Sequence, residues 1–335
     1  VSENPAPSAG PLDVVGIGNA IVDVISPVDE AFLAEHELVK GAMGLIDAER
    51  ADALYAALPP AEESSGGSVA NTIAGVASFG GTGGFVGKVR DDQLGEIFTH
   101  DITSLGIVFN ASPATDGPST ARCLIAVTPD AERTLNTFLG TAGLLGPDDV
   151  DEALVMRGKV VLAEGYLWDV PSAKEAIVKA MDHARAAGNR VALSLSDSFC
   201  VDRYRDEFLA LVQERVDVLF ANEAEITSLY QVDSWEAARD QVRGHCEIAC
   251  LTRSEKGSVI VTADEEHVIP IHPHGDVVDT TGAGDLYAAG FLHGLTTGQD
   301  LDRCGHLAAL AAGEVISHYG ARPETSLAEL AGALD

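Results

Sequence analysis

Apolar and polar positions follow two rhythms along this chain. From Val160 onward, short β-branched runs alternate with longer stretches in which apolar residues recur every three or four positions. Val160–Ala163, Val191–Leu195, Val218–Phe220 and Ile248–Thr252 read as buried strands. Ser172–Ala187, Asp202–Glu214 and Glu223–Leu229 read as the helices between them. Ser258–Thr262 with His267–His272 suggests a hairpin, and Gly282–Leu295 and Leu301–Ser317 read as helices. Strands alternating with helices predict a mostly parallel sheet covered on both faces. Ligands of such sheets bind outside the carboxyl ends of the strands.

The first half is less regular. Leu12–Ile25 is a β-branched run, broken at Gly16 and Gly18 and ended by Pro27, so it reads as a strand, a turn and a second strand. Helices are predicted at Ala31–Glu37, Asp47–Leu58, Ser68–Phe79 and Gln93–Leu105. Strands are predicted at Thr82–Val89, Ile107–Phe109, Thr120–Val127 and Arg133–Phe138. The β-rich stretches near 20–47 and 107–138 break the βα rhythm, and a small β lid over the end of the sheet would explain them. The expectation is a tail over 1–10 and one α/β domain over 11–335, doubly wound, with helices on both faces and that small β-sheet lid.

Composition narrows the function. The 335 residues include 52 acidic and 21 basic side chains, a formal charge of −31. Such a surface repels nucleic acid and acidic membrane, so neither is expected as a partner. Any anionic ligand must meet local positive potential from backbone N–H groups, a metal ion or a few Arg and Lys. Adaptation to high salt is one reading of the charge and a merely solvated surface another. No run of about 18 apolar residues reads as a membrane span. Five cysteines, an odd number without CxxC spacing, read as free thiols in a reducing compartment, which makes cytoplasm the expected location.

Four motifs carry chemistry. Asp279-Thr280-Thr281-Gly282-Ala283-Gly284-Asp285 follows a β segment and opens a small-residue helix. Its glycines permit a tight turn, and the N–H groups of Gly282, Ala283 and Gly284 would stand unpaired at a helix start, where anions bind. Asp285 beside them could accept a proton from an attacking hydroxyl while the N–H groups hold charge on a moving phosphoryl group. The plain alternative is a Gly-rich turn with Asp285 capping the helix. Gly66-Gly67-Ser68-Val69-Ala70-Asn71 places Ser68 and Asn71 on one face of a first helical turn, suited to sugar hydroxyls, or else uses Ser68 as a cap. Gly18-Asn19 with Asp23 offers acceptors for two hydroxyls, or a turn and a solvated carboxylate. Asn222-Glu223-Ala224-Glu225 puts Asn222 and Glu225 on one helical face after a strand, as oxygen ligands for Mg²⁺ through water or as a helix cap. Two other nucleotide motifs fail. Gly16-Ile17-Gly18 lacks the third Gly of a dinucleotide fingerprint, having Ile21 there, and Gly87-Lys88 lacks the first Gly and the Ser or Thr of a P-loop.

In this order the four motifs resemble the PfkB family of carbohydrate and nucleoside kinases, also called the ribokinase family. Gly66–Asn71 looks like its N-terminal signature and Asp279–Asp285 like its C-terminal one. Within the family the chain is most similar to the adenosine kinase subgroup, through Gly18-Asn19 with Asp23, Val28–Leu33, Ser194-Leu195-Ser196 ahead of Phe199, Val216–Phe220 running into Asn222, and Gly305–Ala309. The resemblance implies a ribokinase-like fold and transfer of the γ-phosphoryl group of ATP to the 5′-hydroxyl of a nucleoside, most simply adenosine. Sugar kinases of the ribokinase, fructokinase or 2-keto-3-deoxygluconate kinase type are the alternative. It makes Asp285 the base and Gly282, Ala283 and Gly284 the anion hole. Asp23, with Asn19, Gly66, Gly67, Ser68 and Asn71, would hold the sugar, and Tyr166, Leu167 and Phe199 would border the purine. Asn222, Thr252, Gly257, Thr281 and His306 would border ATP, with Asn222 and Glu225 organising Mg²⁺. Closure of the lid would expel water. Potassium activation occurs in parts of the family, and monomers and homodimers both fit. Ser254 and Arg90 stand where the family often has Gly.

Overall fold

The computed structural model describes residues 10–130 and 132–334, so the predicted tail lies outside the described residues except for Gly10. The chain begins with β1 (Leu12–Ile17), β2 (Ile21–Pro27), α1 (Glu30–Glu35), β3 (Met43–Leu45), α2 (Ala48–Ala57), β4 (Glu62–Gly66) and α3 (Ser68–Ser78). Next come β5 (Gly83–Val86), α4 (Gln93–Ser104), β6 (Ala121–Val127), β7 (Arg133–Phe138), α5 (Glu152–Val155) and β8 (Gly158–Glu164). The alternation then runs α6 (Pro171–Ala186), β9 (Arg190–Ser194), α7 (Ser198–Glu214), β10 (Val218–Asn222), α8 (Glu223–Tyr230), α9 (Trp235–Val242) and β11 (Ile248–Thr252). It ends with β12 (Ser258–Val261), β13 (Glu266–Ile269), α10 (Ala283–Thr296), α11 (Leu301–Val315) and α12 (Leu327–Gly332).

Eight strands form the main sheet, in the order β13-β12-β11-β10-β9-β8-β1-β5. Those from β11 to β5 pair in parallel, and β12 and β13 add an antiparallel edge. Side chains alternate across it. Val14, Val160, Leu162, Val218 and Phe220 pack into one apolar cluster, and Val15, Val161, Ala163 and Leu219 into another. A strand buried on both faces needs apolar residues at every position, which is why these strands read as continuous β-branched runs. The fold is the α/β architecture expected.

A second, five-stranded sheet has the order β3-β7-β6-β2-β4. The single apolar run Leu12–Ile25 is divided between the sheets: β1 lies in the main one, β2 in the small one. Asp23 on β2 pairs in register with Ser64 on β4 and Cys123 on β6. The small sheet is tied to the main body by an ion pair between Arg133 on β7 and Asp279, 3.0 Å apart, with side chains only 6% and 7% exposed.

Several predicted elements are corrected. Ile107–Phe109 is not a strand: only Val108 pairs, in one parallel bridge to Gly84, its N–H donating to the Gly83 carbonyl and its carbonyl accepting from the Phe85 N–H. Strands β3 and β4 and helices α5, α9 and α12 were not anticipated. The helix expected from Asp202 starts at Ser198, capped by Asp197, and kinks at Tyr204. Among the described residues no helix is long and apolar enough to cross a membrane, and all five cysteines are free.

Candidate active site

The Asp279–Asp285 turn is shaped by its first residue. Asp279 Oδ1 accepts from the Thr281 N–H at 3.0 Å and the Thr281 hydroxyl at 2.7 Å, and Oδ2 accepts from the Gly320 N–H at 3.2 Å. Thr281, expected beside ATP, thus spends its hydroxyl on the turn. Gly282 then takes a left-handed conformation, φ 78°, as N-cap of α10 without any side chain to cap it. A Cβ there would also sit 2.8 Å from Ala321 Cα. Among the described residues, no hydrogen bond uses the N–H of Gly282, Gly284 or Asp285, while that of Ala283 makes one long bond, 3.3 Å, to the Thr280 carbonyl. Gly284 is exposed, and nothing lies within 4 Å of where its Cβ would be. A helix start that is uncapped and open on one side attracts anions.

Asp285 follows in the first turn of α10 and is clamped by α3. Ser68 Oγ donates to its Oδ1 at 2.6 Å and Asn71 Nδ2 to its Oδ2 at 3.1 Å. Thr72 Oγ1 also donates to the Asp285 carbonyl at 3.0 Å. Burial raises the Asp285 pKa above the ordinary carboxylate value, and the Ser68 and Asn71 donors pull it back in part. A raised pKa makes the carboxylate a stronger proton acceptor.

The same helix start adjoins Asp23. A Cβ on Gly66 would lie 2.3 Å from Asp23 Oδ2, so only glycine leaves the carboxylate room. Gly67, φ 96°, is pressed against the Asn19 carbonyl. Burial raises the Asp23 pKa to about 6, against the pull of the Arg322 and Arg133 guanidiniums and with a push from Asp285. Asn19 is 3% exposed, and its amide donates to Glu164 at 2.6 Å, while its Oδ1 is buried without a protein partner. It therefore keeps its acceptor free while one amide hydrogen is committed to Glu164.

Tyr166 and Phe199 lie tilted with ring centroids 6.4 Å apart, and burial raises the Tyr166 pKa, with smaller pushes from the charges of Asp197 and Asp285. Leu167 is placed differently from expectation: at 1% exposure it packs in the core beneath, with Trp168 and Phe208.

Asn222 and Glu225 form a reciprocal cap. Asn222 Oδ1 accepts from the Glu225 N–H at 2.9 Å, and the Glu225 oxygens accept from the Asn222 N–H at 3.0 Å and Nδ2 at 2.6 Å. Burial raises the Glu225 pKa to about 7. Asn222 and Thr252 line a cavity of about 550 Å³ at the carboxyl ends of β10 and β11, with Arg253 and Trp235 on its wall. Gly257, φ 81°, lets the chain turn between β11 and β12, where a Cβ would meet the Ile269 carbonyl oxygen at 2.1 Å. His306 Nδ1 is 2.8 Å from His272 Nε2.

Three residues near the site escaped sequence reasoning. Glu164 ends the run Val160–Ala163 and is 1% exposed. Arg133 is buried, with Nε and Nη2 unpartnered in the protein. Arg322 Nε donates to Asn71 Oδ1 at 3.3 Å. In a chain with only 21 Lys and Arg, any basic residue near a predicted anion site was a signal worth weighing.

Residues 46–327 match the pfkB family carbohydrate kinases, and the chain belongs to that family, a class of phosphotransferases acting on a hydroxyl group. The adenosine kinase of Saccharomyces cerevisiae is 30% identical over 332 residues, covering 91% of this chain and 96% of its own. The crystal structure of adenosine kinase from Sinorhizobium meliloti matches with a TM-score of 0.90 and 50% identity, over 97% of this chain and 100% of that one. A probable sugar kinase from Rhizobium etli matches with the same score and identity, over 97% and 99%.

Proposed function

We propose that this chain is an ATP-dependent nucleoside kinase whose acceptor is the 5′-hydroxyl of adenosine, with AMP and ADP as products. The observation that carries the chemistry is Asp285, clamped by Ser68 and Asn71 beside the open start of α10. Asp23 would accept hydrogen bonds from the ribose 2′- and 3′-hydroxyls, with Asn71 and the Asn19 Oδ1 beside it. Tyr166 and Phe199 would offer ring faces to the purine. Asp285 would take the proton of the 5′-hydroxyl as in-line transfer proceeds. The N–H groups of Gly282 and Gly284 would hold charge on the phosphoryl group, and the Arg322 guanidinium, with Arg133 already paired to Asp279, would add positive potential beside Asp23.

The small sheet would act as a lid, within a single domain over 11–335, that keeps water from competing as acceptor. Asn222 and Glu225 offer one carboxamide and one carboxylate. That donor set is too small to cage a cation, which suits Mg²⁺, an ion that keeps waters and takes substrate phosphates. When bound, Mg²⁺ would neutralise charge on those phosphates. Glu225, locked by Asn222, would act on it through water. The ATP base would lie toward Thr252, Gly257 and His306. Free thiols support the cytoplasm as location. An outer edge at β3, where Met43 and Leu45 are exposed, is compatible with a monomer or a homodimer.

The second reading is a sugar kinase of the same family, favoured by the likeness to the Rhizobium etli protein. ATP consumption over adenosine, inosine, guanosine, ribose, fructose and 2-keto-3-deoxygluconate separates the two. The expected result is turnover with adenosine far above all three sugars. Turnover confined to a sugar would overturn the nucleoside assignment.

A further inference from the structure

Glu164 is a buried carboxylate that the proposed chemistry leaves idle. Its Oε1 accepts from the Asn19 N–H at 2.8 Å and from Asn19 Nδ2 at 2.6 Å, and its Oε2 accepts from the Val69 N–H at 3.0 Å. Val69 is the second residue of α3, and the N-cap of α3, Gly67, has no side chain to bond the orphan N–H groups. Glu164 supplies that missing cap from a strand 95 residues away. Burial raises its pKa to about 7 against the pull of these donors, and in its ionised form its charge suits the positive end of the helix. The same carboxylate grips Asn19, in the turn that leads from β1 to β2 and so to Asp23. There is no slack around it. A Cβ on Gly18 would lie 2.8 Å from Glu164 Oε2, and one on Gly67 would lie 2.4 Å from the Asn19 carbonyl oxygen.

Two chain segments thus meet on one side chain. The β1–β2 turn leads to Asp23, and the start of α3 carries Ser68, Asn71 and Thr72, which hold Asp285. We propose that Glu164 is a positioning residue, fixing the turn before Asp23 against the start of α3 so that Asp23 and Asp285 address the same substrate. The inference rests on the kinase reading above. Gln has the same size as Glu but carries an NH₂ in place of one oxygen. Both Glu164 oxygens already face N–H donors, so either orientation of a Gln sets donor against donor.

The test is Glu164→Gln, assayed for kcat, for KM of the nucleoside and for KM of ATP, with amide hydrogen exchange over residues 18–20 and 67–72. The expected result is about a tenfold fall in kcat and a tenfold rise in nucleoside KM, with ATP KM within twofold and exchange in both segments about tenfold faster. A role limited to overall stability would lower the melting temperature and leave those constants unchanged. If the Gln variant does not fold, Glu164→Asp, which keeps the charge and retracts the oxygens by one methylene, is expected to shift the same constants in the same direction. A folded variant with wild-type constants and wild-type protection in both segments overturns the inference. A wild type inactive on every acceptor overturns the kinase reading instead. Exchange still decides on Glu164 in that case, because unchanged protection sinks it and faster exchange supports it without any turnover.

Discussion

The starts of α8 and α10 meet one problem, unpaired N–H groups, in opposite ways. At α8, Asn222 and Glu225 bond each other's backbone, so that both of their N–H groups are satisfied by side chains. At α10, a left-handed Gly282 takes the capping position, offers no side chain, and leaves the next N–H groups facing open space at Gly284. With glycine in the capping position, forgoing a side-chain cap costs only about a few tenths of a kcal/mol. The side-chain cap is present at α8 and absent at α10, where the proposed function would have a ligand's charge received. The start of α3 is a third solution: it too begins at a glycine, but a distant carboxylate, Glu164, does the capping.

The sharpest way to break this contrast is Asp285→Asn. It removes the base and keeps the open turn, so kcat is expected to fall about two to four orders of magnitude with substrate affinity largely kept. Near-normal turnover in the purified variant would end the assignment of Asp285. The pH dependence has two opposed signs. Activity needs the carboxylate, so kcat should fall as pH drops through the raised Asp285 pKa. Stability runs the other way: a folded-state pKa above the unfolded value favours the native protein at low pH and loses that contribution as pH rises through it. Asp285→Asn removes the loss, so its melting temperature at neutral pH should equal or exceed that of the wild type.

Gly282→Ala attacks the turn and spares the base. A Cβ at φ 78°, against Ala321, must push the turn or the 317–326 loop aside. About a hundredfold loss of kcat is expected, the scale of losing one preorganised donor. Asp23→Asn should act mainly on the nucleoside, raising its KM about tenfold or more while kcat changes less. Because burial holds the Asp23 pKa at about 6, 1/KM of the wild type should fall as pH drops below 6, and the Asn variant should lose that inflection. A titration identical in both proteins would remove Asp23 from the sugar site.

The same contrast separates what was legible in the sequence from what was not. The parallel strands were legible because burial on both faces writes them as apolar runs, and the Asp279–Asp285 turn because its glycines sit between a strand and a helix. Strand β4, Glu62-Glu63-Ser64-Ser65-Gly66, was not, since its residues are polar and it is held by pairing with β2 and by Asp101, which accepts from the Ser65 N–H. Leu167 looked the same as a pocket residue or a core residue, because position along the chain does not say which side of the sheet a residue faces. Glu164 was invisible because its partners lie 145 and 95 residues away. Asn222 and Glu225 showed both of their meanings at once, since a spacing of three serves a cap and a ligand pair alike.

That last ambiguity yields the smallest effect and the most direct check of the comparison. Asn222→Ala removes the cap and frees the Glu225 carboxylate. If the pair is chiefly a cap, stability should fall by about 1 kcal/mol, as in other lost N-caps, and turnover at saturating Mg²⁺ should stay within a few fold of wild type. If Asn222 also steadies a hydrated Mg²⁺, the Mg²⁺ concentration needed for half-maximal rate should rise several-fold, while nucleoside KM is unchanged. A loss of kcat as deep as that of Asp285→Asn, persisting at saturating Mg²⁺, would place the chemistry at the start of α8. The open turn of α10 would then be no more than a structural irregularity.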